Sequence, residues 1–393
     1  EVRAIAWPKG AGEPRVLAGE LFEPGPYLTF VPTSGFKRGE HSMILHANAG
    51  GSLIGPDVYV KPVFPASASG KGTKDDPFTR ITDAITFLTR NPANKFGRVV
   101  LLAPGTYDFG PQPAGNNIHP SFSDSYITIV PADGIGATEV LVRNSSGNIN
   151  PRQARVRYQR VTFDTSANRI QGTQPWFDEV IFIDSRGWTH ENQLAPIIPT
   201  YYATQCIARD KLYAFPNATL LRHCLAEKIS GDVWQNSDVV IACTANNIDG
   251  TILAHHTDLY QMWSSKENVV VYDSRATNLK AVQSIFLQPS GGVPGKMTNS
   301  AFVKLHLENV RDAQNSGGPP FSQLQGVFNH LIIQQVSLPN QRLIPRTDMK
   351  GEAQFQPQNV LIDDSLLHWS SYDQLTKTPP HGVIVRNLRR ASQ

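Results

Sequence analysis

Two short segments carry the same order of residue types. Gly231-Asp232-Val233-Trp234-Gln235 is followed 26 residues later by Thr257-Asp258-Leu259-Tyr260-Gln261. Each reads Asp, aliphatic, aromatic, Gln, and Val282-Gln283-Ser284-Ile285-Phe286 follows another 25 residues on. If the three lie at equivalent positions on consecutive coils, Asp232 and Asp258 stack, with Gln283 next in line. Strict alternation then points Val233 and Leu259 inward, and Asp232, Trp234, Asp258 and Tyr260 toward solvent on one face. Two carboxylates one rung apart repel, so one of them holds a proton near neutral pH. That is the condition for an acid paired with a nucleophile or base. In glycosidic-bond cleavage, a separation of about 5 Å suits retention and about 6.5–9.5 Å suits inversion. The competing structural reading is that the aspartates accept hydrogen bonds from coil backbone or hold a calcium ion.

Other groups collect around this stretch. His255 and His256 precede Asp258, and since adjacent side chains diverge, at most one of them is expected to face the pair, to donate to a leaving group, take a proton or orient a carboxylate. Lys280 lies just before Gln283, and Arg222 precedes the Asp232 segment by one bend. Lys304 and His306 alternate with Val303, Leu305 and Leu307 and so face outward on the next coil. Trp234, Tyr260 and Trp263 offer flat surfaces for sugar rings, and Gln261, Gln283 and Gln288 offer amides for sugar hydroxyls. These residues describe a groove in the middle of a coil stack, with Asp232, Asp258, His255, His256 and Lys280 doing chemistry and the rest binding.

Such a groove needs a regular scaffold, and the pattern of apolar bursts supplies one. Twelve apolar bursts, each three or four residues long, punctuate the chain, from Val99–Leu102 to Val383–Val385. In the second half their starts fall roughly 20 to 36 residues apart, within or near solenoid repeat lengths. Bursts this short suit strands rather than helices. Val269–Ser274, Leu331–Val336 and Val360–Ser365 share a six-position shape: two inward apolar residues flank a middle one, then polar residues mark a bend. Leu305–Val310 and Val239–Thr244 are looser matches.

Bulk properties narrow the class. The 393 residues include 30 Gly and 29 Pro, so turns are plentiful and long helices are not. Charged residues make up 18%, below the roughly 25% typical of soluble domains. A net charge of +3 is too small to argue for nucleic acid, and no nucleic-acid partner is expected. No run of about 20 apolar residues exists, so no segment is expected to span a membrane. The start at Glu1 is compatible with a processed secretory protein, and a secreted, surface or periplasmic location is expected. Cys206, Cys224 and Cys243 cannot all pair within one chain, and their spacings match no zinc pattern. Buried free thiols are expected, with a Cys224–Cys243 bridge as the alternative. Asn144-Ser145-Ser146 and Asn217-Ala218-Thr219 read as chance sequons.

Residues 1–60 are rich in proline and carry strand-like pieces at Val2–Trp7, Tyr27–Val31, Met43–His46 and Val58–Val63, which suggests a small β appendage. The main body, 61–393, opens with a turn-rich passage and then Gly72-Thr73-Lys74-Asp75-Asp76-Pro77-Phe78-Thr79-Arg80-Ile81, Ala84-Ile85, Val99–Leu102 and Pro104-Gly105-Thr106-Tyr107. Ile81, Ala84, Ile85 and Leu88 predict a short amphipathic helix capped by Thr79 that covers the first coil. This wording resembles the opening of right-handed parallel β-helix proteins of the pectate-lyase-like superfamily. The resemblance covers the chain from about Tyr59 onward and implies an all-β solenoid acting on carbohydrate. His256-Thr257-Asp258 echoes one element of polygalacturonase-like glycosidases, whose Asp-Asp and Gly-His-Gly elements are missing here. Asp232, Asp258, Gln283 and Arg222 are loosely similar to the set used by pectin methylesterases. The expectation is a polysaccharide-cleaving enzyme of glycoside-hydrolase type. A lyase acting on a uronate glycan with Lys280, His256 or Tyr260 as base, with calcium possible, is the alternative. A non-catalytic glycan binder of tail-fibre or adhesin type is the third reading.

Overall fold

The computed structural model describes residues 2–6, 15–19, 28–32, 43–47, 55–94, 97–111, 126–151, 154–166, 168–172, 174–187, 189, 200–252, 257–262, 264–287, 296–311, 321–345 and 355–392. Val2–Ala6 pairs antiparallel with Arg15–Gly19, and Leu28–Pro32 pairs antiparallel with Met43–Ala47. From Asp57 onward every pairing between strands is parallel, so the chain winds as a solenoid and each strand lies on its counterpart one coil away. Parallel strands of the same sheet need crossovers, and the twist of the strands makes them right-handed. The architecture is a right-handed parallel β-helix.

The register is continuous along the stack. On the first face, Val99, Ile129, Tyr158, Phe177, Ala203, Leu221, Val240, Val271, Phe302, Ile333 and Ile362 form one inward column. All are buried in the main core. Aromatic neighbours stack within it: Tyr158 lies on Phe177 with centroids 5.4 Å apart and planes 12° off parallel. In the three closely matched segments the inward and outward positions fall as the pattern predicts. Val269/Val271, Leu331/Ile333 and Val360/Ile362 enter the main core, whereas Ile332 and Leu361 form a second apolar cluster with Val270 packed against it.

One residue per coil makes the bend to the second face. Arg160, Glu179, Gln205, His223, Ala242, Asp273, Lys304, Gln335, Asp364 and Asn387 all have φ between 43° and 55°. A left-handed conformation costs an L-residue about 1–2 kcal/mol. It persists because the bends stack, and amides such as those of Gln205, His223 and Ala242 donate to Arg222, Ile241 and Tyr272 on the next coil. Leu305 follows such a bend and sits in register with Ser274. The looser match of Leu305–Val310 to the first-face segments is therefore displaced by one strand.

A second left-handed column, Asp210, Lys228, Asn247 and Asn278, bulges the second face and returns the next side chain to the interior. Ile229, Ile248 and Leu279 fill that position, but in an earlier coil it holds Lys211. Its ammonium bonds the Thr165 hydroxyl. Burial pushes its pKa down to about 8, against the pull of Asp184 and Asp164.

Helix α1, Ile81–Thr89, buries Ile81, Ala84, Ile85 and Leu88 and touches the strands Asp57–Val60 and Arg98–Leu101. Thr79 does not cap it. The N-cap position is Arg80 without a side-chain bond, and Thr79 Oγ1 instead donates to the Ser67 carbonyl at 2.5 Å. Cys206, Cys224 and Cys243 are buried free thiols that each follow a first-face bend. Burial pushes the Cys206 and Cys243 thiols up. Asn144 is buried and its amide donates to the Asn148 carbonyl. No helix is long and apolar enough to cross a membrane among the described residues.

Candidate active site

A third face is built from Thr257–Met262, Val282–Leu287, Phe321–Leu324 and Arg342–Pro345, paired in that order. Asp258 is in register with Gln283. On the other side, the Val233 and Trp234 amides donate to the Asp258 and Leu259 carbonyls at 3.0 and 2.9 Å. One coil earlier, the Ala214 and Phe215 amides donate to the Asp232 and Val233 carbonyls in the same way. Tyr213, Asp232, Asp258 and Gln283 therefore form one column across four coils.

Consecutive amides donating to one neighbour are incompatible with regular strand alternation, in which every second amide points each way. The local backbone thus turns two successive side chains inward. Val233 and Trp234 both enter the core, as do Leu259 and Tyr260, all with no exposed surface. The expectation that Trp234 and Tyr260 present rings to solvent is overturned. The Tyr260 hydroxyl donates to the Ser237 carbonyl at 2.7 Å, its ring meets Phe302 edge-on, and burial raises its pKa well above normal. Neither ring is a sugar platform, and Tyr260 is not placed to act as a base. The outward side chains recur at a spacing of three: Asp232 with Gln235, and Asp258 with Gln261.

Those four side chains interlock. Asp232 Oδ1 accepts from the Asp258 backbone amide at 3.0 Å, and Asp232 Oδ2 accepts from Gln235 Nε2 at 2.9 Å. The same Nε2 donates to Gln261 Oε1 at 2.9 Å. Asp232 is 6% exposed, Gln261 2%, and Asp258 is fully buried. Two carboxylates stacked one coil apart repel when both are charged. Tyr213, half-buried, has its pKa raised by burial and then by the Asp232 charge.

The remaining residues named from sequence do not gather here. Arg222 ends a first-face strand between Thr204 and Ile241. Lys280 closes a second-face strand, and its ammonium pairs with Asp249 at 3.1 Å. Lys304 is the first-face bend residue of its coil and lies 5.4 Å over the Tyr272 ring. His306 is exposed on the second face, in register with Arg275 and Ser337. Proximity in sequence placed these four in one groove, but a coil with three faces distributes them around its circumference. His255, His256, Trp263 and Gln288 lie outside the described residues. Among the described residues no group of three or more His, Cys, Asp or Glu side chains is placed to share a metal ion. Sequence reasoning passed over Gln235 as a site residue, although the repeated Asp-x-x-Gln spacing was its signal.

No family model matches this chain, and no curated protein matches it. Solved structures with a similar chain path include a GH136 lacto-N-biosidase from Eubacterium ramulus. It is 9% identical with a TM-score of 0.40, over 86% of this chain and 68% of that one. The catalytic domain of a GH87 α-1,3-glucanase is 9% identical with a TM-score of 0.37, over 80% of this chain and 64% of that domain's length. The A-module of the Azotobacter vinelandii mannuronan C-5 epimerase is 10% identical with a TM-score of 0.26, over 85% and 97% of the two chains.

Proposed function

We propose that this chain cleaves glycosidic bonds in a polysaccharide laid along the third face. The observation that carries the reading is the pair Asp232 and Asp258, stacked one coil apart on the third face with the Asp258 amide donating to Asp232 Oδ1. Asp232, held by two donors, is the carboxylate that stabilises positive charge at the sugar carbon or activates the attacking group. Asp258, desolvated beside it, keeps the proton and delivers it to the leaving oxygen. Gln261 and Gln283 flank the pair and position hydroxyls. The β-helix architecture and the carbohydrate-acting neighbours in fold are consistent with this chemistry. A secreted protein fits a polymeric substrate.

Full burial of Asp258 favours a second reading, in which the four side chains are a polar ladder that shapes a glycan-binding face without cutting. The two part on one experiment. A panel of neutral and uronic-acid polysaccharides is incubated with the protein and assayed for new reducing ends and for the ultraviolet absorbance of unsaturated products. Reducing ends without absorbance are expected, and Asp258→Asn lowers their rate by about 10²–10⁴-fold while the fold is kept. Wild-type turnover in Asp258→Asn sinks the acid-pair reading, and unsaturated products replace hydrolysis by β-elimination; glycan retention with neither product leaves the binder.

A further inference from the structure

The third face ends at a group of side chains that the acid pair does not use. Arg342–Pro345 is its last strand, and no further strand pairs with its outer edge among the described residues. Helix α2, Trp369–Lys377, takes the place of the next rung. The Leu343 amide donates to Ser371 Oγ at 2.9 Å, and Arg390 Nε donates to Asp373 farther along the helix. Leu343 is buried in the core, so its neighbour Arg342 points out of the face. At the helix start, Trp369 is 36% exposed, one of the few large apolar side chains left open. Its ring lies 5.3 Å from that of His368.

The polar groups here are incomplete. The Arg342 guanidinium makes no hydrogen bond to the described residues, and no carboxylate among them lies within ion-pair distance of it. A guanidinium without an acidic partner is matched by an anionic acceptor that can hold two of its N–H groups at once. His368 Nδ1 accepts from the Ser370 amide at 3.3 Å, which leaves the proton on Nε2 as a donor. Burial, then the Arg342 charge, lowers the His368 pKa, so its ring stays neutral and Arg342 supplies the positive charge.

We propose that Arg342, His368 and Trp369 form a distal subsite for an acidic sugar residue, a carboxylate or sulfate bearer, on the polymer that the acid pair cleaves. This inference rests on the cleavage reading for its polymer. The two Nη groups of Arg342 form a fork that matches two anionic oxygens. The exposed Trp369 ring takes the apolar face of the pyranose, and His368 Nε2–H reaches a hydroxyl. The subsite lies three strand spacings from Asp258, about 14 Å, close to the reach of three extended sugar units.

Affinity electrophoresis of the full chain through gels containing polygalacturonate, alginate, hyaluronan, a sulfated galactan or a neutral glucan tests it. Retardation by at least one acidic polymer is expected, and the carboxylated and sulfated gels separate the two anion types. Arg342→Gln and Trp369→Ala should each weaken that retardation at least tenfold, Trp369→Phe should keep most of it, and thermal melts should show all variants folded. No retardation by any acidic polymer, or retardation unchanged in both Arg342→Gln and Trp369→Ala, overturns the subsite. If Arg342→Gln unfolds, Arg342→Lys keeps the charge without the fork, and unchanged retardation in it counts against the proposal. Cleavage without Arg342-dependent retardation removes the subsite and leaves the acid pair; Arg342-dependent retardation in a chain that cuts nothing does the reverse.

Discussion

Lys211 makes the sharpest prediction, because its effect on stability has a defined sign and pH window. Its side chain occupies an interior position that neighbouring coils give to Ile229 and Ile248. The folded pKa is lowered to about 8 from the ordinary 10.5, chiefly by burial. Below pH 8 both folded and unfolded chains carry the proton, and the folded state bears the cost of the buried charge. Between the two pKa values the unfolded chain binds more protons, so stability rises with pH. From pH 7 to pH 9 the gain is about 1.4 kcal/mol, and the full shift corresponds to about 3.4 kcal/mol. Other groups oppose it: burial raises the Cys206, Cys243, Tyr201 and Tyr260 pKa values, so these lose stability as their unfolded forms ionise above about pH 9. The informative quantity is therefore the difference between wild type and Lys211→Met, which fills the same space without a charge. Urea unfolding at pH 7, 8 and 9 should find the variant more stable by about 1–3 kcal/mol at pH 7, with the gap closing by about 1.4 kcal/mol at pH 9. Parallel pH profiles for the two proteins would refute the argument that burial governs this lysine.

Two further outcomes follow from the inward turn and the bends. Trp234→Ala removes a fully buried ring from the core and should cost about 3–5 kcal/mol in denaturant unfolding; a stable variant with selectively lost glycan affinity would mean that the ring is a platform after all. Ala242 makes its bend at φ 50° with no side chain to bond its neighbours, so Ala242→Gly should raise stability by about 0.5–1 kcal/mol, and a lower melting temperature would count against the strain argument.

The apolar bursts and the polar residues that follow them were enough to specify a stack of coils. A buried strand three residues long leaves a periodic trace, and a repeated bend needs the same residue types at the same place. The 26-residue spacing of Asp232 and Asp258 likewise determined that they stack, because register in a solenoid is set by counting residues per coil. What alternation could not supply was direction. Paired consecutive amides turn Trp234 and Tyr260 inward and bring Gln235 and Gln261 beside the acids, and that departure is a property of backbone contacts between coils. Nor could linear proximity tell which of three faces carries Arg222, Lys280, Lys304 or His306. The subsite at Arg342 was out of reach for a stronger reason: its members come from a strand and a helix some 27 residues apart, joined only where α2 stands in for a missing rung.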